Sequence, residues 1–343
     1  MEVRGVTDTP TTGTAPTDEP DTDPLALLFP GQGSQAPGMG RRVFEHSGAA
    51  REVFAEASEY THLDIAAICF EGDADSLAET TYTQPAVVTT SIAIIAAMRE
   101  KLHEVGQRVR PRLFGGHSLG LFSAAVAAEA LTFRDALFMV LERSKLMSSF
   151  NSARPVGMAS IIGLDAEAVR AICVDATLSP ADRVDVANYN LDNQTVISGD
   201  LAALERGMER ARAQQGKVIQ LKVKVSSHTP LHVDQAQAFA QMIHEVPIAD
   251  PQRPIVSNRS SELLRTGAEL RLEFEQQLCS PVYWADNVRR MCREGVDTFV
   301  EVGPGHVLAR MVKRISDSLI TVSLDDAEVE PIPISILPAE LAR

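Results

Sequence analysis

The sequence predicts an α/β protein: a large α/β-hydrolase-like domain with a parallel sheet, plus an inserted ferredoxin-like small subdomain. Three observations predict it. The chain has 343 residues, 45% hydrophobic and 23% charged, which is more than one small core and ordinary globular composition. Short apolar runs that stop at glycine-rich loops alternate with helical stretches, as buried parallel strands do. Within about 70 residues after Pro155, the order of elements is β-α-β-β-α-β, the ferredoxin-like motif.

Taken in order, residues 1–24 hold six acids, one base, seven Thr and four Pro with almost nothing apolar. Such a segment cannot bury enough surface to offset its ordering entropy, and a disordered acidic tail is expected. The first strand, residues 25–29, is the apolar run Leu-Ala-Leu-Leu-Phe, ending at Pro30-Gly31. Helices are expected over 40–60, 84–102, 121–130 and 133–150, with a strand at 112–115 between the second and third. The small subdomain, 155–225, reads as strand 158–162, helix 165–176, strands 184–188 and 195–198, helix 201–215 and strand 218–225. The chain then returns to the large domain, which comprises 25–154 and 226–325. There the spacing predicts a helix at 235–243, a strand at 255–258, a helix at 283–293, a strand at 298–302 and a helix to about 316. Residues 326–343, with three prolines, read as a C-terminal tail.

Charge and cysteine content exclude several functions. Lys and Arg number 32 against 46 Asp and Glu, a formal net charge of −14. Phosphate backbones and anionic lipid surfaces both want basic proteins, so neither nucleic acid nor membrane is the expected partner. The leader is too acidic for a transit peptide and lacks the apolar core of a signal peptide. The longest apolar-rich run, 87–98, is too short to span a bilayer. A cytoplasmic location is expected. The four cysteines, Cys69, Cys173, Cys279 and Cys292, have no zinc spacing, and no metal site is expected.

The sharpest local signal is Gly116-His117-Ser118-Leu119-Gly120. G-x-S-x-G between a strand and a helix is a nucleophile elbow. Glycines flank a strained turn that projects the Ser118 hydroxyl at a helix N-terminus, where free N–H groups favour developing negative charge. A serine nucleophile needs a base. His117 is adjacent, but its side chain leaves the turn in another direction. His228, at the end of a strand re-entering the large domain, is the better candidate among eight histidines.

Several motifs then occur in order: Phe29-Pro-Gly-Gln-Gly-Ser-Gln35, Thr83-Gln-Pro-Ala86, the elbow, Arg143, Asn188-Tyr-Asn190, His228 and Glu301-Val-Gly-Pro-Gly305. Over roughly residues 25–325 the chain resembles the malonyl-CoA:acyl carrier protein transacylases and the related acyltransferase domains of polyketide synthases. The resemblance implies that Ser118 becomes acylated and that His228 is general base, then acid. It implies an oxyanion hole from the backbone N–H groups of Gln32 and Leu119. Arg143, 25 residues after Ser118, falls at the arginine that holds the free carboxylate of a malonyl-type group, a task suited to a planar fork. Gln277 matches the residue whose carbonyl orients the histidine, an amide in place of the usual triad acid. Gln84, Met147, Asn190 and Ser227 fall at pocket positions.

The implied substrates are malonyl-CoA or a substituted malonyl-CoA and an acyl carrier protein, in fatty acid or polyketide biosynthesis, with no cofactor beyond the CoA thioester. Carrier proteins are usually acidic, so Arg289, Arg290 and Arg293 on one helix, with Lys313 and Arg314, are the expected docking patch. Two other readings share the fold: an acyl hydrolase, and a carrier-to-carrier acyltransferase handling another acyl group. Leu121 departs from the family, which usually has Glu there.

Overall fold

The computed structural model describes residues 22–73, 75–221 and 225–324. The expected tails, to residue 21 and from 326, lie outside the described residues. Strand β1 (Asp23–Phe29) starts two residues before the expected Leu25. Asp23 extends it by exchange with Arg110: its N–H donates to the Arg110 carbonyl, and its carboxylate accepts the Arg110 N–H, both at 2.9 Å.

The single helix expected over 40–60 is two, α1 (Arg41–His46) and α2 (Gly48–Thr61). Ser47 between them is extended, and its hydroxyl accepts the Ala50 N–H to cap α2. Asp64 likewise caps α3 (Ile65–Glu71), which hydrophobic periodicity did not reveal. The following α4 (Thr80–Glu104) is buried on nearly every side, as a central core helix must be. Strand β2 (Pro111–Gly116) leads through the elbow into α5 (Gly120–Ala127), and α6 (Phe133–Ala153) follows a Thr132 cap.

The inserted unit runs β3 (Val156–Ile162), α7 (Ala166–Ala176), β4 (Val184–Leu191), β5 (Gln194–Asp200), α8 (Leu201–Ala213) and β6 (Lys217–Gln220). Its sheet is antiparallel in the order β4-β5-β3-β6. Ala159, Ile161 and Ile197 pack with Val169, Ile172 and Leu204 of the two helices. The alternate residues Met158, Ser160 and Val196 line a cavity instead. The last strand is shorter than the expected 218–225, and residues 222–224 of that span lie outside the described residues.

The chain returns through α9 (Val233–Met242), β7 (Ile255–Val256), β8 (Leu263–Leu264), α10 (Gly267–Gln277), α11 (Trp284–Arg293), β9 (Thr298–Glu301), α12 (Val307–Ile315) and β10 (Ile320–Ser323). The large sheet has the order β10-β9-β1-β2-β7-β8. Its pairs are parallel except β7 with β8. β1 is buried on both faces: Leu25, Leu27 and Phe29 belong to one core, Ala26 and Leu28 to the other. Phe29 is level with Gly116 and Leu28 with Glu301. The loops after β1, β2 and β9 therefore leave the sheet together at its carboxyl edge, where open α/β sheets bind ligands.

Candidate active site

The elbow is built by exclusion of side chains. Ser118 has φ 52°, a left-handed conformation that is strained for a non-glycine residue. A Cβ at Gly116 would lie 2.2 Å from the Gly120 carbonyl carbon, and one at Gly120 only 1.9 Å from the Phe29 oxygen. Both positions need glycine for the chain to pass that closely.

Asn258 locks this turn. Its Oδ1 accepts the Ser118 N–H at 2.7 Å, and its Nδ2 donates to the Gly116 carbonyl at 2.7 Å. Asn258 is held in turn by buried Glu273, which accepts its N–H at 2.9 Å and the Ser257 hydroxyl at 2.7 Å. Sequence reasoning missed Asn258. It lies beyond a two-residue strand in no motif, and only the fold brings it to the elbow.

His228 Nε2 lies 2.6 Å from Ser118 Oγ. Its Nδ1 faces two main-chain carbonyls, Gln277 O at 3.0 Å and Ser280 O at 3.2 Å. Those carbonyls can only accept, so Nδ1 carries the proton and Nε2 is free to accept the serine proton. The expected orienting role of Gln277 thus belongs to its backbone, shared with Ser280, and not to its amide. The amide Nε2 instead donates to the Ser118 carbonyl at 3.1 Å. Burial pushes the His228 imidazole down to about 3, and the Arg143 cation adds to the shift. His117 is occupied elsewhere: its ring nitrogen bonds Asn190 Oδ1 at 2.9 Å and its ring lies against Trp284.

Arg143 is 2% exposed. Its Nη2 donates to Ser118 Oγ at 3.2 Å and its Nη1 to Gln84 Oε1 at 2.9 Å. Its Nε has no partner, and among the described residues no carboxylate pairs with it. Burial lowers its pKa to about 10, so it stays cationic at neutral pH. Gln84, expected to line the pocket, lies behind Arg143 instead: it is fully buried, with Nε2 also 3.3 Å from Met147 Sδ.

These groups open on a cavity of about 480 Å³, lined among others by Gln32, Met147, Asn190 and Ser227. Leu119 begins the turn into α5, fully buried. The backbone N–H groups of Gln32 and Leu119 have no partner among the described residues. A Cβ on Gly31 would lie 2.4 Å from the His117 oxygen, so the loop after β1 runs directly against the elbow. Leu121, at the position of the departure from the family, is fully buried in the core.

The expected docking helix is largely self-neutralised. Arg289 grips Asp192 through both carboxylate oxygens, at 2.6 and 2.7 Å, and also reaches Asp286. Arg290 pairs with Glu262 and Glu294. Arg293 is exposed and forms no ion pair among the described residues. None of the four cysteines forms a disulfide. Among the described residues, no helix is long and apolar enough to cross a membrane, and no three His, Cys, Asp or Glu converge as metal ligands.

Comparison with known proteins shows the family. The acyl transferase domain matches residues 26–333. The malonyl CoA-acyl carrier protein transacylase of Bacillus subtilis (strain 168) is 37% identical over 317 residues, covering 92% of this chain and 98% of the relative. The solved malonyl-CoA:acyl carrier protein transacylase of Xanthomonas oryzae pv. oryzae superimposes with a TM-score of 0.83 at 35% identity, covering 90% and 96%. A malonyl-transacylase solved in complex with its holo type II polyketide synthase acyl carrier protein superimposes with a TM-score of 0.82 at 33% identity, covering 89% and 96%.

Proposed function

The chain belongs to the acyl transferase domain family and is an acyltransferase, and from that premise we propose that it moves a malonyl-type acyl group from CoA to the phosphopantetheine thiol of an acyl carrier protein through an ester on Ser118. The observation that carries the substrate class is Arg143. A buried guanidinium without a carboxylate partner, 3.2 Å from the nucleophilic oxygen, is costly in the free protein. A substrate that brings its own carboxylate removes that cost, and a plain acyl group does not.

The steps follow from the hydrogen-bond directions. The malonyl carboxylate pairs with Arg143, displacing the Nη2 contact to Ser118. His228 Nε2 takes the Ser118 proton as Oγ bonds to the thioester carbonyl carbon. The oxyanion is held by the N–H groups of Gln32 and Leu119; one such donor is worth about 3–4 kcal/mol in comparable sites. The C–S bond breaks, and the CoA sulfur leaves with the proton from His228. The carrier thiol then gives its proton to His228 and attacks the ester carbonyl. Collapse returns the proton to Ser118 Oγ and releases the malonyl-carrier thioester. The reaction balances with its two thioesters alone. Water competes as acceptor, so the enclosed site must favour the carrier thiol.

Two relatives named as malonyl transacylases and one solved with its carrier protein support the same assignment. The test is intact mass after mixing with malonyl-CoA. A malonyl ester on Ser118 that persists until a holo carrier protein is added is the expected result. Prompt loss of the ester to water would favour the hydrolase reading, and absence of any ester would overturn both.

A further inference from the structure

His228 shares a backbone feature with Ser118. Its φ is 61°, also left-handed, a conformation that persists only where the surroundings enforce it. The His228 N–H donates to the Leu278 carbonyl at 2.7 Å. Side chains fix the chain on both sides of it. Ser226 and His232, two residues before His228 and four after it, are hydrogen-bonded to each other, with His232 Nε2 3.0 Å from Ser226 Oγ. That bond closes segment 226–232 into a loop with His228 inside it. Ser226 and His232 are fully buried, and among the described residues neither lines the catalytic cavity.

The closed loop is anchored to two other elements. The Ser226 N–H donates to Asn151 Oδ1 on α6 at 3.3 Å, and Ser226 Oγ lies 2.9 Å from Ser198 Oγ on β5 of the inserted unit. Ser198 Oγ also accepts the Ser227 N–H at 3.3 Å. The His232 ring packs on Phe150 of α6, with centroids 4.4 Å apart. A buried polar pair adds little stability over apolar groups of the same shape. What it adds is direction, because a hydrogen bond fixes where both of its ends sit. Misplacing a catalytic group by about 1 Å costs on the order of 100-fold in rate. We propose that His232 is a positioning residue for the base: through Ser226 it closes the loop that holds His228 Nε2 on Ser118 Oγ. The inference rests on Ser118 and His228 acting as nucleophile and base, and not on malonyl as the acyl group.

The test is the rate of Ser118 modification by malonyl-CoA and by phenylmethanesulfonyl fluoride in His232→Phe, Ser226→Ala, the double variant and His232→Gln. The sulfonyl fluoride needs a base for the serine proton but brings no carboxylate for Arg143. Phe keeps a ring on Phe150 and removes the bond; Gln places an amide at about the reach of Nε2 and restores one. Single-turnover loading at saturating malonyl-CoA should slow about tenfold in His232→Phe and in Ser226→Ala, with half-saturation within about twofold of the parent. Sulfonylation should slow in the same proportion. The double variant should be no slower than the slower single one, since both changes remove the same bond, and His232→Gln should recover to within about threefold of the parent. If the parent forms the sulfonyl ester but no malonyl ester, the acyl-group reading fails and sulfonylation alone decides the role of His232. Parental rates in His232→Phe and Ser226→Ala, losses that multiply in the double variant, or His232→Gln as slow as His232→Phe would overturn the proposal. If His232→Phe does not fold, Ser226→Ala and His232→Gln carry the same comparison.

Discussion

Asn258 clamps Ser118 from behind: its side-chain amide accepts the Ser118 N–H and donates to the Gly116 carbonyl, each at 2.7 Å. The clamp holds a serine at φ 52°, a conformation worth of order 1–3 kcal/mol of strain. It also occupies the Ser118 N–H, leaving the neighbouring Leu119 N–H for an oxyanion. Replacing Asn258 with Ala strands a buried donor and a buried acceptor, at about 1–3 kcal/mol each. Asn258→Ala is expected to lower unfolding free energy by ~2–5 kcal/mol in urea and to slow Ser118 acylation. Acylation at the normal rate in a destabilised variant would show that Asn258 braces the fold without positioning the nucleophile.

How much of this was legible in the sequence follows from the range of each interaction. The elbow could be read because its glycines are local: they exist to let Gly116 and Gly120 approach backbone within one turn. The β-α-β-β-α-β order could be read because both periodicities are local too. Ser47, which splits the first expected helix, was legible only as a cap competing with helix continuation. Asn258 and the Ser280 carbonyl could not be read, because their partners Ser118 and His228 are more than 50 residues away in sequence; Glu273, 14–16 residues from its partners, lies on a separate helix that only the fold brings against them. The pairs of Arg289 with Asp192 and of Arg290 with Glu262 were hidden similarly: Asp192 lies in the turn between β4 and β5, 97 residues off, and Glu262 is 28 residues off.

Arg143 should discriminate among acyl groups. Two charge-assisted hydrogen bonds to a carboxylate contribute about 3–5 kcal/mol together. Arg143→Ala is therefore expected to slow single-turnover loading from malonyl-CoA by ~100- to 1000-fold, and from acetyl-CoA by less than about threefold. Equal losses with both donors would mean that Arg143 serves the nucleophile through its contact with Ser118 Oγ and not the substrate.

Gln84 sets whether that cation is available. Its neutral Oε1 supports Arg143 Nη1 at 2.9 Å without cancelling the charge. Gln84→Glu is nearly isosteric but places a carboxylate on the same nitrogen, so the substrate must compete with a built-in counter-ion. Half-saturation by malonyl-CoA should rise by ~10-fold or more, the equivalent of about 1.4 kcal/mol, with the loading rate at saturation less affected. Acetyl-CoA loading is the control and should change little. An unchanged half-saturation would remove Gln84 from any part in carboxylate recognition.

Burial depresses His228 to about 3 and His232 to about 4, both from an ordinary 6.5. The acid limb of Ser118 loading should therefore lie well below pH 6.5, since His228 remains an unprotonated base there; a limb at 6.5 would contradict its depression. Stability carries the same sign. Between 6.5 and the folded-state values the unfolded chain binds protons that the folded chain refuses. The stability due to each histidine is thus fully present above 6.5 and falls as pH drops, by up to about 1.4 kcal/mol per pH unit. Glu301, pushed up to about 7 by burial, acts oppositely: the folded state holds a proton that the unfolded carboxyl releases above 4.5, so its contribution falls as pH rises. The slope of the unaltered protein is a difference, and a single variant isolates one part of it. His232 packs on Phe150 with ring centroids 4.4 Å apart, and its Nε2 bonds Ser226 Oγ, which keeps Ser198 as a second partner. His232→Phe should therefore fold, and urea unfolding at pH 5 and pH 7 should show it losing less stability on acidification than the parent by about 1–2 kcal/mol. Parallel losses in the two proteins would mean that His232 does not carry the depression assigned to it.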